Sequence, residues 1–445
     1  MKIRLSIFLA AALAAISLSA QTTVSDIAAT PGKAGGVYYA YPQTSAENTP
    51  APKGYKPFYI SHYGRHGSRY LISDKDYVRV IDRLRDARDH GALTPLGKNV
   101  LSRLDTVWLE AKGRGGELSP LGARQHHDIA QRMYRNYTQA FAGEPEISAA
   151  STTVMRCAHS MFAFVEGLKE LNPSLVIPRE SGERNMYFLN YHSPESGKYN
   201  GHEGDWYQDW RKFRTKMTQP DRLINSLFSD STYIRRRVDP VETMWDLYWV
   251  AVDMQNMETP ISFFDLFTPE ELYNLWQVFN FNFYACNSSY PPAQGTHVDN
   301  AKNLLENILT RADEYIAEGK NGATLRFGHD GNIIPLTALM QLDSCWSNQS
   351  DPYLLATDYA DYRISPMGAN LQMVFFKKDS KNGKNTKGKD ADNDVLVKFL
   401  LNEKEIAIPV TTDIFPYYHW NDVRDFYRNT LATPFAEIQS KAAGN

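Results

Sequence analysis

The chain has 445 residues, a formal net charge of −3, and 42% hydrophobic and 22% charged residues. That balance is ordinary for a globular protein of roughly two or three domains and gives no global reason to expect a nucleic-acid partner. Cys157, Cys286 and Cys345 are too few for a disulfide scaffold.

The first twenty residues, MKIRLSIFLAAALAAISLSA, begin with Lys2 and Arg4, continue as an apolar run and end in small residues. They read as a cleaved secretory leader, and no cysteine follows to anchor a lipid. No later stretch is apolar enough to span a membrane. The expectation is an exported protein, periplasmic or secreted, without membrane insertion.

KPFYIS then reads as a short buried strand, followed by SHYGRHGSRYL and a helical pattern from Ser73 to Asp89. LTPLG and LSPLG each start a helix, with Thr94 or Ser119 as N-cap and proline at N1. EISAAS is a second strand, followed by the helical TVMRCAHSMFAFVEGLKEL. From about residue 180 to 295 the texture becomes Trp- and Tyr-rich, with helical spacing in DPVETMWDLYWVAVDMQNM and a capping box at Thr268–Glu271. This segment reads as a helical insertion domain. It divides an α/β domain into residues 21–179 and 296–445. THVDNAKNLLENILTRADEYIAEG is an amphipathic helix stopped by Gly319, and GATLRFG is a third strand, ahead of HDGN and the helix IIPLTALMQL. LQMVFF and VLVKFLL form a hairpin around a solvated loop, Lys377 to Asp394. Strands alternating with helices predict an α/β fold with a mostly parallel sheet flanked by helices.

In such a sheet, ligands sit beyond the carboxyl ends of the strands. The three strand–loop–helix units bring Arg65, His66 and Arg69, then Arg156, then His329 and Asp330 to that edge. The helices that follow are expected to aim their N-termini there as well. Three arginines and two histidines repel one another unless a tetrahedral dianion compensates them, and guanidinium forks match phosphate oxygens. Gly64 and Gly67 would let the backbone pass close to it. One neutral imidazole can attack phosphorus, a second can donate to a phosphate oxygen, and a carboxyl in an anion pocket suits a proton donor. The plain alternatives are a helix-capping role for His329–Asp330 and a salt-bridged Arg156.

Other clusters carry less. His126–His127 reads as a solvated or core-edge pair in a helix. His192, His202, Glu203 and Asp205 lack the HExxH spacing of a zinc protease. Arg235 to Arg237 is a solvated helix end. Ala163, Pro292 and Asp351 stand where a cysteine phosphatase needs arginine. No GxSxG elbow and no P-loop occur.

RHGSRY followed by GHDGN, with an arginine after a middle strand and a helical insertion between, resembles the histidine acid phosphatases, the branch that includes phytases and multiple inositol polyphosphate phosphatases. The resemblance covers most of the chain and implies a phosphoglycerate mutase-like fold. It implies His66 as nucleophile, Arg65, Arg69, Arg156 and His329 as phosphate ligands, Asp330 as general acid, and no metal or other cofactor. Leu71 stands where the family often has proline, and Gly331 where the inositol polyphosphate branch often has glutamate. The implied substrate is a small phosphorylated molecule, phytate or another inositol phosphate or a sugar phosphate, hydrolysed at acid pH. A phosphomutase and a non-catalytic anion-binding protein remain as alternatives. Arg184, Lys198, Arg211 and Lys212 are candidates to face a polyphosphorylated ring.

Overall fold

The computed structural model describes residues 23–42, 47–378 and 395–443. The expected leader and residues 379–394 of the expected loop lie outside the described residues. Among those residues, eight strands form one sheet: β1 Tyr55–Arg65, β2 Glu146–Ser151, β3 Arg179–Glu180, β4 Gly322–Gly328, β5 Asn370–Lys378, β6 Val395–Leu401, β7 Lys404–Glu405 and β8 Tyr417–His419. Their order is β3-β2-β4-β1-β5-β6-β7, with β8 on β6.

The sheet is α/β but mixed rather than mostly parallel. β3, β2, β4 and β1 pair in parallel, whereas β5 to β8 add antiparallel. β1, β2 and β4 are each followed by a helix that returns the chain and allows parallel pairing. β5 instead pairs antiparallel with both β1 and β6.

Side chains alternate across the sheet. Tyr59, Tyr63, Met373 and Phe375 join one core; Ile60, Phe327, Val374 and Phe376 join the other. Both faces are covered, so β4 is buried throughout and β1 from Pro57 onward.

The helices that position the site are α1 Asp74–Asp89, α2 Pro95–Ala111, α3 Pro120–Asn136, α4 Met155–Leu171, α5 Pro240–Asp253, α6 Pro269–Asn287, α7 Lys302–Glu318 and α8 Asp330–Leu339. Their ends follow sequence chemistry. The Thr94 and Ser119 hydroxyls accept from the Gly97 and Gly122 amides. Thr268 and Glu271 close a capping box, and Gly319 ends α7 at φ 66°. Residues 181–321 contain no strand. Their helices share one hydrophobic core with the sheet face that carries Tyr59 and Phe375. No described helix is long and apolar enough to cross a membrane.

Candidate active site

Register brings the site together. Arg65 at the end of β1 pairs with Gly328 at the end of β4, and Ser151 at the end of β2 pairs with Phe327. β4 lies between β2 and β1, so the three loops leave the sheet side by side although the third strand comes some 170 residues after the second. Beyond this edge is a cavity of about 390 Å³ whose wall includes His66, Arg69, Arg156 and Asp330.

His66 sits just past β1. Its amide donates to the Gly328 carbonyl and its own carbonyl accepts from Gly368. Its Nδ1 lies 2.9 Å from the Gly67 carbonyl oxygen. A carbonyl only accepts, so Nδ1 carries the proton and Nε2 keeps a free lone pair. Burial, then Arg65, Arg156 and Arg69, hold the imidazole well below its ordinary pKa and keep it neutral.

Arg65 is fully buried behind His66. Its Nη1 donates to the Val37 and Ser365 carbonyls, and its Nη2 lies 2.8 Å from Asp330 Oδ2. Arg69 lies over the Tyr38 ring, 4.6 Å from the centroid, and donates to the Tyr70 carbonyl. Arg156 stands in the first turn of α4. Among the described residues, Nε of each of these three arginines is buried without a hydrogen-bond partner. Orphaned guanidinium donors around a cavity are costly unless an anion satisfies them.

His329 flanks His66 with ring centroids 5.7 Å apart. Its Nε2 is 3.2 Å from Thr152 Oγ1, and its amide donates to the Tyr63 hydroxyl. Burial, reinforced by Arg156 and Arg65, lowers its pKa to about 4. Asp330 opens α8, and its Oδ1 accepts from the Gly331 amide. Burial pushes this carboxyl up, but Arg65, then His329 and Arg69, outweigh it and hold Asp330 below the usual carboxylate range. Four of the six expected residues, His66, Arg69, Arg156 and Asp330, line the cavity. Arg65 and His329 stand beside or behind its wall, and Arg65 is engaged by Asp330.

A model of the histidine phosphatase superfamily, branch 2, matches residues 64–402. The chain belongs to that superfamily. It is a phosphomonoesterase by family. It is 21% identical over 408 residues to multiple inositol polyphosphate phosphatase 1 of Gallus gallus, covering 88% of this chain and 85% of the relative. Its fold is similar to that of the Bifidobacterium longum multiple inositol polyphosphate phosphatase in complex with inositol hexasulfate. That match has TM-score 0.72 and 17% identity over 89% of this chain and 97% of the other. It is also similar to the phytase from D. castellii, with TM-score 0.64 and 15% identity over 90% and 85%.

Several features of this histidine phosphatase differ from the sequence expectation. Gly67 is needed for packing against protein, since a Cβ there would lie 2.3 Å from the Gly122 carbonyl oxygen at the start of α3. Gly64 faces the His62 ring. The N-terminus of α1 is closed by its own capping box and carries Asp74 and Asp76, so it offers no anion site. Leu71, where proline is frequent, donates its amide to the Tyr77 hydroxyl, which donates to the buried Asp253. His126 is fully buried and its Nε2 donates to the Arg65 carbonyl, 2.9 Å away, whereas His127 pairs with Glu170 at the surface. Arg184, Lys198, Arg211 and Lys212 are exposed and absent from the cavity wall.

Tyr38, Tyr63, Thr152 and Ser160, which accepts from the Gly67 amide, had no motif to flag them. Their roles exist only once distant segments meet. The three cysteines are free thiols, and Cys157 is pushed up to about 12 by burial. The described residues contain no group of three or more His, Cys, Asp or Glu able to hold a metal ion.

Proposed function

We propose that the protein hydrolyses phosphomonoesters through a phosphohistidine at His66. The observation that carries this reading is the neutral His66, with Nε2 free, among three arginines whose Nε donors have no partner. The Nε2 lone pair attacks phosphorus, and the bond from phosphorus to the ester oxygen breaks. Asp330 gives its proton to that oxygen, and the alcohol departs. Water then attacks phosphorus and passes a proton to the Asp330 carboxylate. The P–N bond breaks, its electrons return to Nε2, and phosphate leaves. Arg69 and Arg156 hold the phosphoryl oxygens throughout, and the His329 imidazole N–H donates to one of them.

Asp330 must begin protonated, yet Arg65 holds it ionised while the site is empty. A bound phosphate dianion takes up arginine charge and adds negative charge beside the carboxyl, both of which favour its protonation. This supports an acid working range.

Inositol phosphates and sugar phosphates are the substrates to try first, and the leader makes periplasmic or secreted placement part of the proposal. The test is phosphate release from an aryl phosphate with EDTA present, together with rapid quenching and mass analysis. An acid-labile phosphoryl group on His66 is expected. Turnover without any phosphoryl-enzyme would point to direct attack by water, and phosphate binding without turnover to an anion-binding protein.

A further inference from the structure

Away from the phosphate end, the cavity wall is aromatic. Tyr38, Trp249, Phe279 and Phe283 line it and pack as one surface. Ring centroids are 5.7 Å apart for Tyr38–Trp249, and 4.8 Å for both Trp249–Phe279 and Phe279–Phe283. Trp249 and Phe279 also wall a second cavity of about 280 Å³, which adds Trp210 and Trp245. The aromatic surface thus runs from beneath Arg69 into an adjoining annex.

Positive charge does not follow it. Besides His66, Arg69 and Arg156, the only basic side chain that the described residues place on the main wall is Arg79. Its Nε is 3.2 Å from Asp246 Oδ1 and its Nη2 3.1 Å from Asp76 Oδ1. Arg214, on the annex wall, lies 2.7 Å from Glu242 and over the Trp245 ring at 5.2 Å. No lysine among the described residues lines either cavity. Past the phosphate end, two paired arginines therefore face Asp76, Glu242 and Asp246.

A polyphosphorylated ring needs unpaired cations for each further phosphate. Beyond the phosphate end, the described residues of this wall offer none and would set carboxylates against them. A flat apolar ring face, by contrast, matches stacked aromatic side chains. We propose that the preferred substrate carries a single phosphate on a leaving group with an apolar ring face, which lies against Trp249 and Phe279 and extends toward Trp245. This rests on the phosphomonoesterase reading above and narrows its substrate class.

The test keeps the leaving atom constant. Ethyl phosphate and 2-(2-naphthyl)ethyl phosphate both release a primary alkoxide, so ring contact rather than leaving-group acidity separates them. Glucose 6-phosphate tests a saturated ring face, and inositol hexakisphosphate a polyanion. For the wild type, the expected kcat/KM for the naphthyl ester is about 10-fold or more above ethyl phosphate, mainly through KM, with inositol hexakisphosphate below both. A higher value for glucose 6-phosphate than for the naphthyl ester would assign the wall to a sugar ring, which the proposal also covers.

Trp249→Leu keeps an apolar side chain in the wall. It should reduce the ratio between naphthyl and ethyl esters several-fold, and a ratio within one variant cancels any loss of folded protein. Neither ring ester above ethyl phosphate, or inositol hexakisphosphate above both ring esters, would overturn the inference while leaving the phosphatase reading intact. No release from any ester, or release that survives His66→Ala, would overturn the reading beneath it.

Discussion

His66 and Asp330 divide the chemistry between a group that must be neutral and a group that must carry a proton. Replacing His66 with alanine removes the lone pair on which the covalent route depends. Turnover should fall on the order of 10⁴-fold or more, while circular dichroism stays native because His66 belongs to neither β1 nor α1. Near-normal turnover would remove His66 from the mechanism. Asp330→Asn separates substrates by leaving group. An alkoxide needs the proton and a phenolate needs it far less, so alkyl esters should slow by roughly 10²–10⁴-fold and aryl esters much less. In the wild type, the alkyl rate should fall as pH rises and the Asp330 complex loses its proton, and Asp330→Asn should flatten that limb. Equal losses on both ester types would indicate that Asp330 acts by position alone.

The loop between β1 and α1 owes its shape to another element. Gly67 and Gly122 meet backbone to backbone, and a Cβ on Gly122 would lie 2.2 Å from the Ser68 carbonyl oxygen. Neither backbone can move aside as a flexible side chain would. Gly67→Ala should therefore cost about 1–3 kcal/mol of stability and also lower kcat, because the same shift displaces His66 and Arg69. Thermal unfolding with phosphate-release kinetics checks this, and an unchanged melting temperature with full activity would refute it. The sequence showed a glycine in a charged loop but not its neighbour, since α3 lies more than fifty residues downstream. Element starts were more legible: Thr94, Ser119 and Thr268 each accept from the amide three residues on, inside any sequence window.

At the scale of the whole molecule, buried histidines set the lower pH limit. His62 and His66 are held well below 6.5 by burial, and His126, His297 and His329 are each lowered to about 4, also chiefly by burial. Between those folded values and the unfolded 6.5, the unfolded chain binds more protons, so stability falls as pH falls. Asp253, raised to about 7, and Asp361, raised to about 6, both by burial, act oppositely. In the folded chain they hold a proton that the unfolded chain has lost above about 4. Five groups outweigh two, each contributing up to about 1.4 kcal/mol per pH unit within its window. The melting temperature should drop from pH 6.5 toward pH 4, and inorganic phosphate should restore part of it by favouring protonated His329. A flat or rising profile over that range would show that these histidines are already protonated in the folded state.

The sequence by itself determined the three strand–loop–helix units, most helix boundaries and the placing of His66, Arg69, Arg156 and Asp330 at one edge of the sheet. These rest on short-range chemistry: caps, apolar periodicity, and charge placed just past a strand. The mixed sheet, the order that sets β4 between β2 and β1, and the engagement of Arg65 by Asp330 were decided by tertiary structure. So were the roles of Tyr38, Thr152 and Tyr77, and the aromatic wall supplied by α5 and α6. Each of these depends on which distant segments share a hydrophobic core. Burial, not local spacing, then determines which charges are paired, which imidazoles stay neutral, and what the pocket beyond the phosphate can accept.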